Sequence, residues 1–307
     1  MNIEYIRYKN IDKTKWDTCI KNAVNGLIYA RSFYLDNTAE NWDALVLNDY
    51  EAVMPLIWKK KWGIKYLYQP AFVQQGGIFF CKPLPDTAVS AFVKTLTTHF
   101  SFAEITLNYA NTNFNTVAGI QKTERTNYLL SLNKPYKEIF KNYHPNFTKS
   151  LRRIQKFNLH YAASNDFTGV IALYKNLYLK KLPSVKEKDI TGFKNICAKL
   201  STEGNLIIRQ VYSAGDALLS VVLLLKDQGR LYNIISCITK EGKKNEANYF
   251  LYDKVLAEFC EHDLLLDMEG SDRKGIADFY KKLNPVNEPY PFIKYNNLNS
   301  FIKLFKQ

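Results

Sequence analysis

Leu264-Leu-Leu-Asp267-Met-Glu269-Gly-Ser-Asp-Arg-Lys-Gly-Ile-Ala-Asp-Phe279-Tyr-Lys-Lys-Leu-Asn-Pro285 reads as a strand, a tight turn and a helix in one run. Side chains alternate across a strand, so Leu264, Leu266 and Met268 share one face while Leu265, Asp267 and Glu269 share the other. Two carboxylates are thus expected on one face near the C-terminal end of a buried strand. Gly270 and Ser271 break the strand, and Ser271 is placed to cap a helix expected over 272–283. In that helix Ile276, Phe279, Tyr280 and Leu283 recur at helical spacing up to the stop at Asn284-Pro285. In open sheets flanked by helices, ligands bind outside the carboxyl ends of strands. The acidic turn, with Arg273 and Lys274 just beyond it, is therefore the expected site.

Upstream of this unit, apolar runs predict strands over 206–212, 217–226 and 231–238, joined by turns at Gly215-Asp216 and Gly229, then a helix over 246–261. Helices are predicted before them over 136–143, 148–157, 167–181 and 190–200. The first part of the chain predicts a strand over 3–8, helices near 16–23 and 32–37, and a hairpin of 44–47 and 52–58 about Asn48-Asp49. A loop follows with Gln74-Gln75-Gly76-Gly77, whose glycines let backbone approach a ligand or strand closely. Next come a helix over 86–99 and strands over 103–108 and 128–132; the last extended piece is 291–295. Both halves run through helices, a β-meander, a helix and a strand. The expectation is a duplicated α/β unit, with domains 1–133 and 134–307.

With 307 residues, 47% hydrophobic and 14% aromatic, the chain can bury a core of about two domains and is not a disordered tail. Five Cys, widely spaced without a Cys-x-x-Cys pair, and four His without ligand spacing argue against a disulfide framework or a metal site. The opening residues are not a signal peptide and no apolar run reaches ~18 residues, so no integral membrane segment and a cytoplasmic location are expected. Net charge is +13, and between Lys134 and Lys188 twelve Lys/Arg face three acids. Such a region attracts polyanions. Within it Lys149, Arg152, Arg153 and Lys156 follow helical spacing on one face, where like charges repel unless an anion bridges them. The Arg forks fit phosphate. A merely solvated face is the alternative.

A meander, a helix, a strand, a helix and a final strand is the element order of the GNAT acyltransferase fold. On Gln74-Gln75-Gly76-Gly77, the run 146–157, Asn245-Glu246-Ala247-Asn248, Asp267-Met268-Glu269-Gly270-Ser271 and the run 275–282, the sequence resembles the FemAB-like group. That group contains aminoacyl-tRNA-dependent peptidyltransferases of cell-wall synthesis. The resemblance implies an α/β (α+β) chain of two tandem GNAT-like domains, each a mixed, mostly antiparallel sheet flanked by helices. It implies an acyltransferase moving an aminoacyl or acyl group to an amine of an anionic, cell-wall-precursor-like acceptor in a cleft between domains. Aminoacyl-tRNA or acyl-CoA would be the co-substrate, with no permanently bound cofactor. The implied partners are tRNA or a nucleotide-linked small molecule, not DNA.

Gln75, Gly76, Gly77 and Asn248 then join the basic face as substrate or anion contacts, and Phe279, Tyr280 and Lys281 become donor contacts. Acyl transfer needs somewhere for the amine proton to go, which makes Glu269 and Asp267 the candidate catalytic carboxylates. Asp267, deeper in the strand, is expected to fix the turn, and Glu269 to meet the amine, so that Glu269→Gln lowers turnover with little change in Tm. An ion pair with Arg273 or Lys274 is the structural alternative. Two departures stand out: the Phe-Lys pair usual in Fem transferases is displaced here to Phe279-Tyr280-Lys281-Lys282, and the 245–248 turn lacks the glycine run that cradles coenzyme A pyrophosphate. The other readings are a coenzyme A-dependent N-acetyltransferase and a non-catalytic RNA- or nucleotide-binding module.

Overall fold

The computed structural model describes residues 2–114 and 117–298; the expected second domain's residues 299–307 lie outside them. The chain forms two compact units, Met1–Arg125 with Pro289–Gln307, and Thr126–Glu288.

The first unit contains strands β1 (Ile3–Ile6), β2 (Asn41–Leu47), β3 (Ala52–Lys61), β4 (Ile64–Tyr68), β5 (Phe79–Phe80), β6 (Phe102–Thr106) and β7 (Ile120–Arg125). Its helices are α1 (Lys13–Asn22), α2 (Ser32–Thr38) and α3 (Asp86–His99). Helix α1 begins at Asp12, whose carboxylate accepts from the N–H groups of Thr14 and Lys15, both at 3.0 Å. Helix α3 carries Val89, Phe92, Val93 and Leu96 at helical spacing, and this stripe joins Leu45, Met54, Leu56 and Ile105 of the sheet in one core.

The second unit contains β8 (Tyr128–Ser131), β9 (His160–Ser164), β10 (Leu206–Tyr212), β11 (Leu218–Asp227), β12 (Arg230–Ile238), β13 (Leu265–Asp267) and β14 (Val286–Asn287). They lie in the order β14-β8-β13-β12-β11-β10-β9, antiparallel except for β12 beside β13. The helices are α4 (Tyr136–Lys141), α5 (Pro145–Ile154), α6 (Phe167–Tyr178), α7 (Glu187–Thr202), α8 (Lys240–Lys244), α9 (Ala247–Phe259) and α10 (Lys274–Tyr280). Val222 and Leu224 of β11 pack with Leu251, Val255 and Leu256 of α9, while Val221, Leu223 and Leu225 are buried on the opposite side, where α6 and α7 meet the sheet. A strand covered on both faces reads as a continuous apolar run, which is the pattern of β11.

A last strand, β15 (Tyr290–Asn296), returns to the first sheet and completes the order β1-β2-β3-β4-β6-β15-β7, with β5 attached to β3. Both sheets are mixed, mostly antiparallel and flanked by helices, the tandem GNAT-like arrangement.

The units do not divide where the sequence suggested, at Asn133. The strand expected over 128–132 pairs with β13 in the second sheet, and the piece expected over 291–295 pairs with β6 and β7 in the first. A short apolar strand satisfies its ladder in either sheet, so its composition does not announce which. Strands β7 and β9, both polar and half-exposed, had no apolar signal. Ser271 does not cap α10; its Oγ instead accepts from Tyr128 N–H at 3.2 Å, and the helix starts later, at Lys274.

Candidate active site

The second unit's parallel pair is short. Arg230, Leu231 and Tyr232 of β12 stand beside Leu265, Leu266 and Asp267 of β13, and there the pairing ends. Strand β12 runs on to Ile238, whereas the segment after β13 turns away through Glu269 and Gly270, with φ of 33° and 66°. Beyond Tyr232 the two strands therefore separate, and the polar groups at that opening come from four elements.

Asn233, 3% exposed, sits on β12 at a bulge against β11, where Leu224 pairs with Asn233 and Leu223 with Ile235. Its Nδ2 donates to Tyr252 Oη of α9 at 2.6 Å and to Tyr280 Oη of α10 at 3.0 Å, and the two hydroxyls are 3.3 Å apart. Asn233 Oδ1 has no hydrogen-bond partner among the described residues. Glu269 is half-buried, but its Oε1 is shut off from solvent and likewise has no partner among them. Burial pushes this carboxyl up to about 8. Burial also raises the Tyr280 hydroxyl well above its ordinary value, with the neighbouring Tyr252 and the Glu269 charge adding to it. A carboxyl that holds its proton near neutrality, two hydroxyls that keep theirs and an amide oxygen without a partner among the described residues are groups chemically able to exchange protons.

Asp267 is different. Fully buried, it forms an ion pair with Arg230 Nη1 at 2.9 Å and accepts from the Glu269 N–H at 3.3 Å. Burial raises its carboxyl, an effect that Arg230 opposes. Glu288 stands 3.3 Å from the same guanidinium. The partner is thus Arg230 rather than Arg273 or Lys274, and Asp267 anchors the turn from which Glu269 projects.

Of the expected donor contacts, Tyr280 belongs to this centre. Phe279 packs within an aromatic cluster with Phe147, Tyr249 and Tyr252, at centroid distances of 6.1, 5.1 and 5.4 Å. Lys281 is exposed, and Lys282 is the lysine turned to the cluster, its Nζ 2.7 Å from Tyr249 Oη. Asn248 is held by Ser220 Oγ.

The basic face lies on α5 and the turn after it, with Lys149, Arg152 and Lys156 exposed. Arg153 is not available in the same way: its Nε and Nη2 both bind Glu246, the residue before α9. That carboxylate occupies the entry to α9, where the sequence placed a weak phosphate cradle.

Gln75, Gly76 and Gly77 are in the first unit and serve its architecture. Gln75 Oε1 accepts from Tyr109 N–H at 2.9 Å, and Gly76 N–H donates to Thr106 O at 3.3 Å. Gly77 has φ 83°, and a Cβ there would stand 2.4 Å from Asn111 Oδ1 and 2.9 Å from Leu107 Cα. The backbone approaches a neighbouring strand at this loop, the bland reading of a glycine pair.

Sequence reasoning missed Arg230, Asn233 and Tyr252. The available signal was Asn233 itself, a polar residue inside the apolar run of β12. A surface recess of about 490 Å³, lined by Ala172, Lys175, Asn176, Leu179 and Lys180, contains none of these groups.

No protein-family model and no curated protein sequence matches the chain. Among solved structures it is similar to FemX, at 13% identity and a TM-score of 0.66 with both chains covered in full. It is also similar to the C-terminal domain of a putative lysylphosphatidylglycerol synthetase from Agrobacterium fabrum, at 11% identity and a TM-score of 0.55 over 96% of this chain and 94% of that one. L-PGS from Bacillus licheniformis matches at 9% identity and a TM-score of 0.56, over 95% and 94%. At such identities the likeness is one of fold, and the chain has the tandem GNAT-like fold that it shares with FemX.

Proposed function

We propose that the chain is an acyltransferase whose second unit moves an aminoacyl or other acyl group from an ester donor to an amine. The observation that carries this reading is the half-buried Glu269 carboxyl, whose Oε1 is shut off from solvent and has no hydrogen-bond partner among the described residues, near the Tyr280 hydroxyl where β12 and β13 separate. The amine nitrogen attacks the donor carbonyl, the C–N bond forms, and the C–O bond to the donor breaks. Glu269, which holds its proton near neutrality, gives that proton to the leaving oxygen and takes the amine proton in its place. Tyr252 and Tyr280, ordered by Asn233, supply hydroxyl donors for the charge that develops on the carbonyl oxygen. Lys149, Arg152 and Lys156 hold the phosphates of an anionic acceptor or of tRNA, and Arg230 with Asp267 holds the turn.

An aminoacyl-tRNA donor is preferred to acyl-CoA because Glu246 places a carboxylate at the start of α9, where pyrophosphate would need bare backbone N–H groups. The test offers radiolabelled aminoacyl-tRNA and acetyl-CoA in parallel to the purified full chain, with a nucleotide-linked peptide amine as acceptor. Label should pass from aminoacyl-tRNA to the amine, and Glu269→Gln should slow that transfer by ~10²–10⁴-fold. Transfer from acetyl-CoA alone supports the N-acetyltransferase reading. RNA binding without transfer from either donor contradicts an enzyme.

A further inference from the structure

The β3–β4 hairpin of the first unit carries strain and like charge at its tip, where Lys61 Nζ lies 4.4 Å from the Trp62 ring centroid. The strands join at Trp62-Gly63, where φ is 50° and 79°. Glycine suits such a turn, but a bulky aromatic residue at positive φ is strained, and Asn or Asp is the usual companion. Burial does not offset that strain, because Trp62 is 62% exposed. Behind the turn Lys60 stands directly across the ladder from Lys65, a like-charge pair that destabilises the hairpin. Between Ala52 and Pro85 the sequence has five Lys and no Asp or Glu. Strain and repulsion kept together on an exposed tip point to a partner outside the chain.

We infer that this tip docks on an anionic lipid bilayer, with Trp62 entering the headgroup level and Lys60 and Lys61 facing the phosphates. Indole rings favour that level, and lysines near an anionic surface are each attracted to it. Single-stranded nucleic acid fits the tip less well, because stacking needs open aromatic faces. Here Lys59 Nζ lies 3.9 Å from the Tyr68 ring centroid and Lys65 Nζ lies 3.9 Å from that of Trp58. The Trp58 indole is further held by its N–H to Asp43 at 2.8 Å. No helix among the described residues is long and apolar enough to cross a membrane, so the contact proposed is peripheral.

The test uses the full chain with vesicles of phosphatidylcholine alone, or of phosphatidylcholine and phosphatidylglycerol in roughly equal amounts, read by cosedimentation and tryptophan fluorescence. Trp16 and Trp42 are buried and Trp58 is half-buried, so a blue shift reports Trp62. Binding and a blue shift are expected with the anionic vesicles only, weakening as salt is added. Trp62→Ser should abolish the shift, and Lys60→Gln and Lys61→Gln should each lower the partition coefficient about fivefold. Unchanged or higher Tm in the three variants shows that the fold is intact. Failure of the native chain to bind anionic vesicles overturns the proposal, as does undiminished binding by Trp62→Ser. So does capture of a single-stranded RNA oligonucleotide that depends on Trp62 without any vesicle binding.

Discussion

Among the described residues each unit has one parallel strand junction, β4 beside β6 in the first and β12 beside β13 in the second, and the two are finished differently. In the first, the loop after β4 fills the space past the ladder. Thr106 N–H donates to Gln69 Oε1 at 3.0 Å, Thr106 Oγ1 donates to Gln74 O at 2.7 Å, and Gly76 continues the pairing as a bridge to Leu107. Asn25 and Asn111 tie the same loop to backbone, and the Gln75 amide nitrogen is left over. In the second, no loop follows the strand. Asn233 Oδ1 and Glu269 Oε1 are instead buried there without partners among the described residues. A buried polar group without a partner costs free energy, and the second junction is the one at which the transfer chemistry is proposed.

The contrast can be broken most directly at its anchor. Asp267→Asn removes one of the two carboxylates that face Arg230, and breaking a buried ion pair from one side costs ~3–5 kcal/mol in denaturant unfolding. A loss below ~1 kcal/mol would mean that Glu288 anchors the turn by itself. Glycines at the two junctions should differ next. Gly77→Ala forces a Cβ into Asn111 and Leu107 at positive φ and should cost ~2–5 kcal/mol. Gly270→Ala, also at positive φ but with its nearest neighbour at 3.7 Å, should cost ~1 kcal/mol. Equal costs would show that both junctions are equally packed. The smallest effect belongs to α5: Arg152→Ala should lower the salt slope for a single-stranded RNA by ~0.7 for each phosphate that the guanidinium neutralises. Arg153→Ala, whose guanidinium is engaged by Glu246, should lower it less. An unchanged slope in Arg152→Ala assigns the face to solvent.

The stretch 264–285 showed the strand, the turn and both carboxylates, because alternation and helical spacing are local properties. It also gave Asp267 and Glu269 separate roles, and the buried ion pair agrees with an anchoring Asp267. What was not legible came from distant chain. Arg230 and Asn233 reach the turn only through the parallel pairing of β12 with β13, and Tyr252 only through α9. The assignment of β8 and β15 to sheets was hidden for a related reason, since ladder partners are chosen by tertiary packing. Gly76 and Gly77 look alike in sequence whether they approach a ligand or a strand. The expectation that Glu269→Gln leaves Tm nearly unchanged rests on an exposed carboxyl, whereas Oε1 of this half-buried residue is shut off from solvent without a partner among the described residues.

The most direct test of Glu269 as a carboxyl that keeps its proton near neutrality is the stability of the native chain and of Glu269→Gln as a function of pH. The folded carboxyl is raised from the ordinary 4.5 to about 8. Its proton is thus held more tightly in the folded than in the unfolded chain, and stability is lost as pH rises through that window. Gln carries no such titration. The variant should therefore match the native protein near about pH 5 and become more stable by a few kcal/mol near about pH 9, with an upper limit of about 5 from ~1.4 per pKa unit. A difference that stays flat between those pH values contradicts the account, since it would place Glu269 in water or beside a cation.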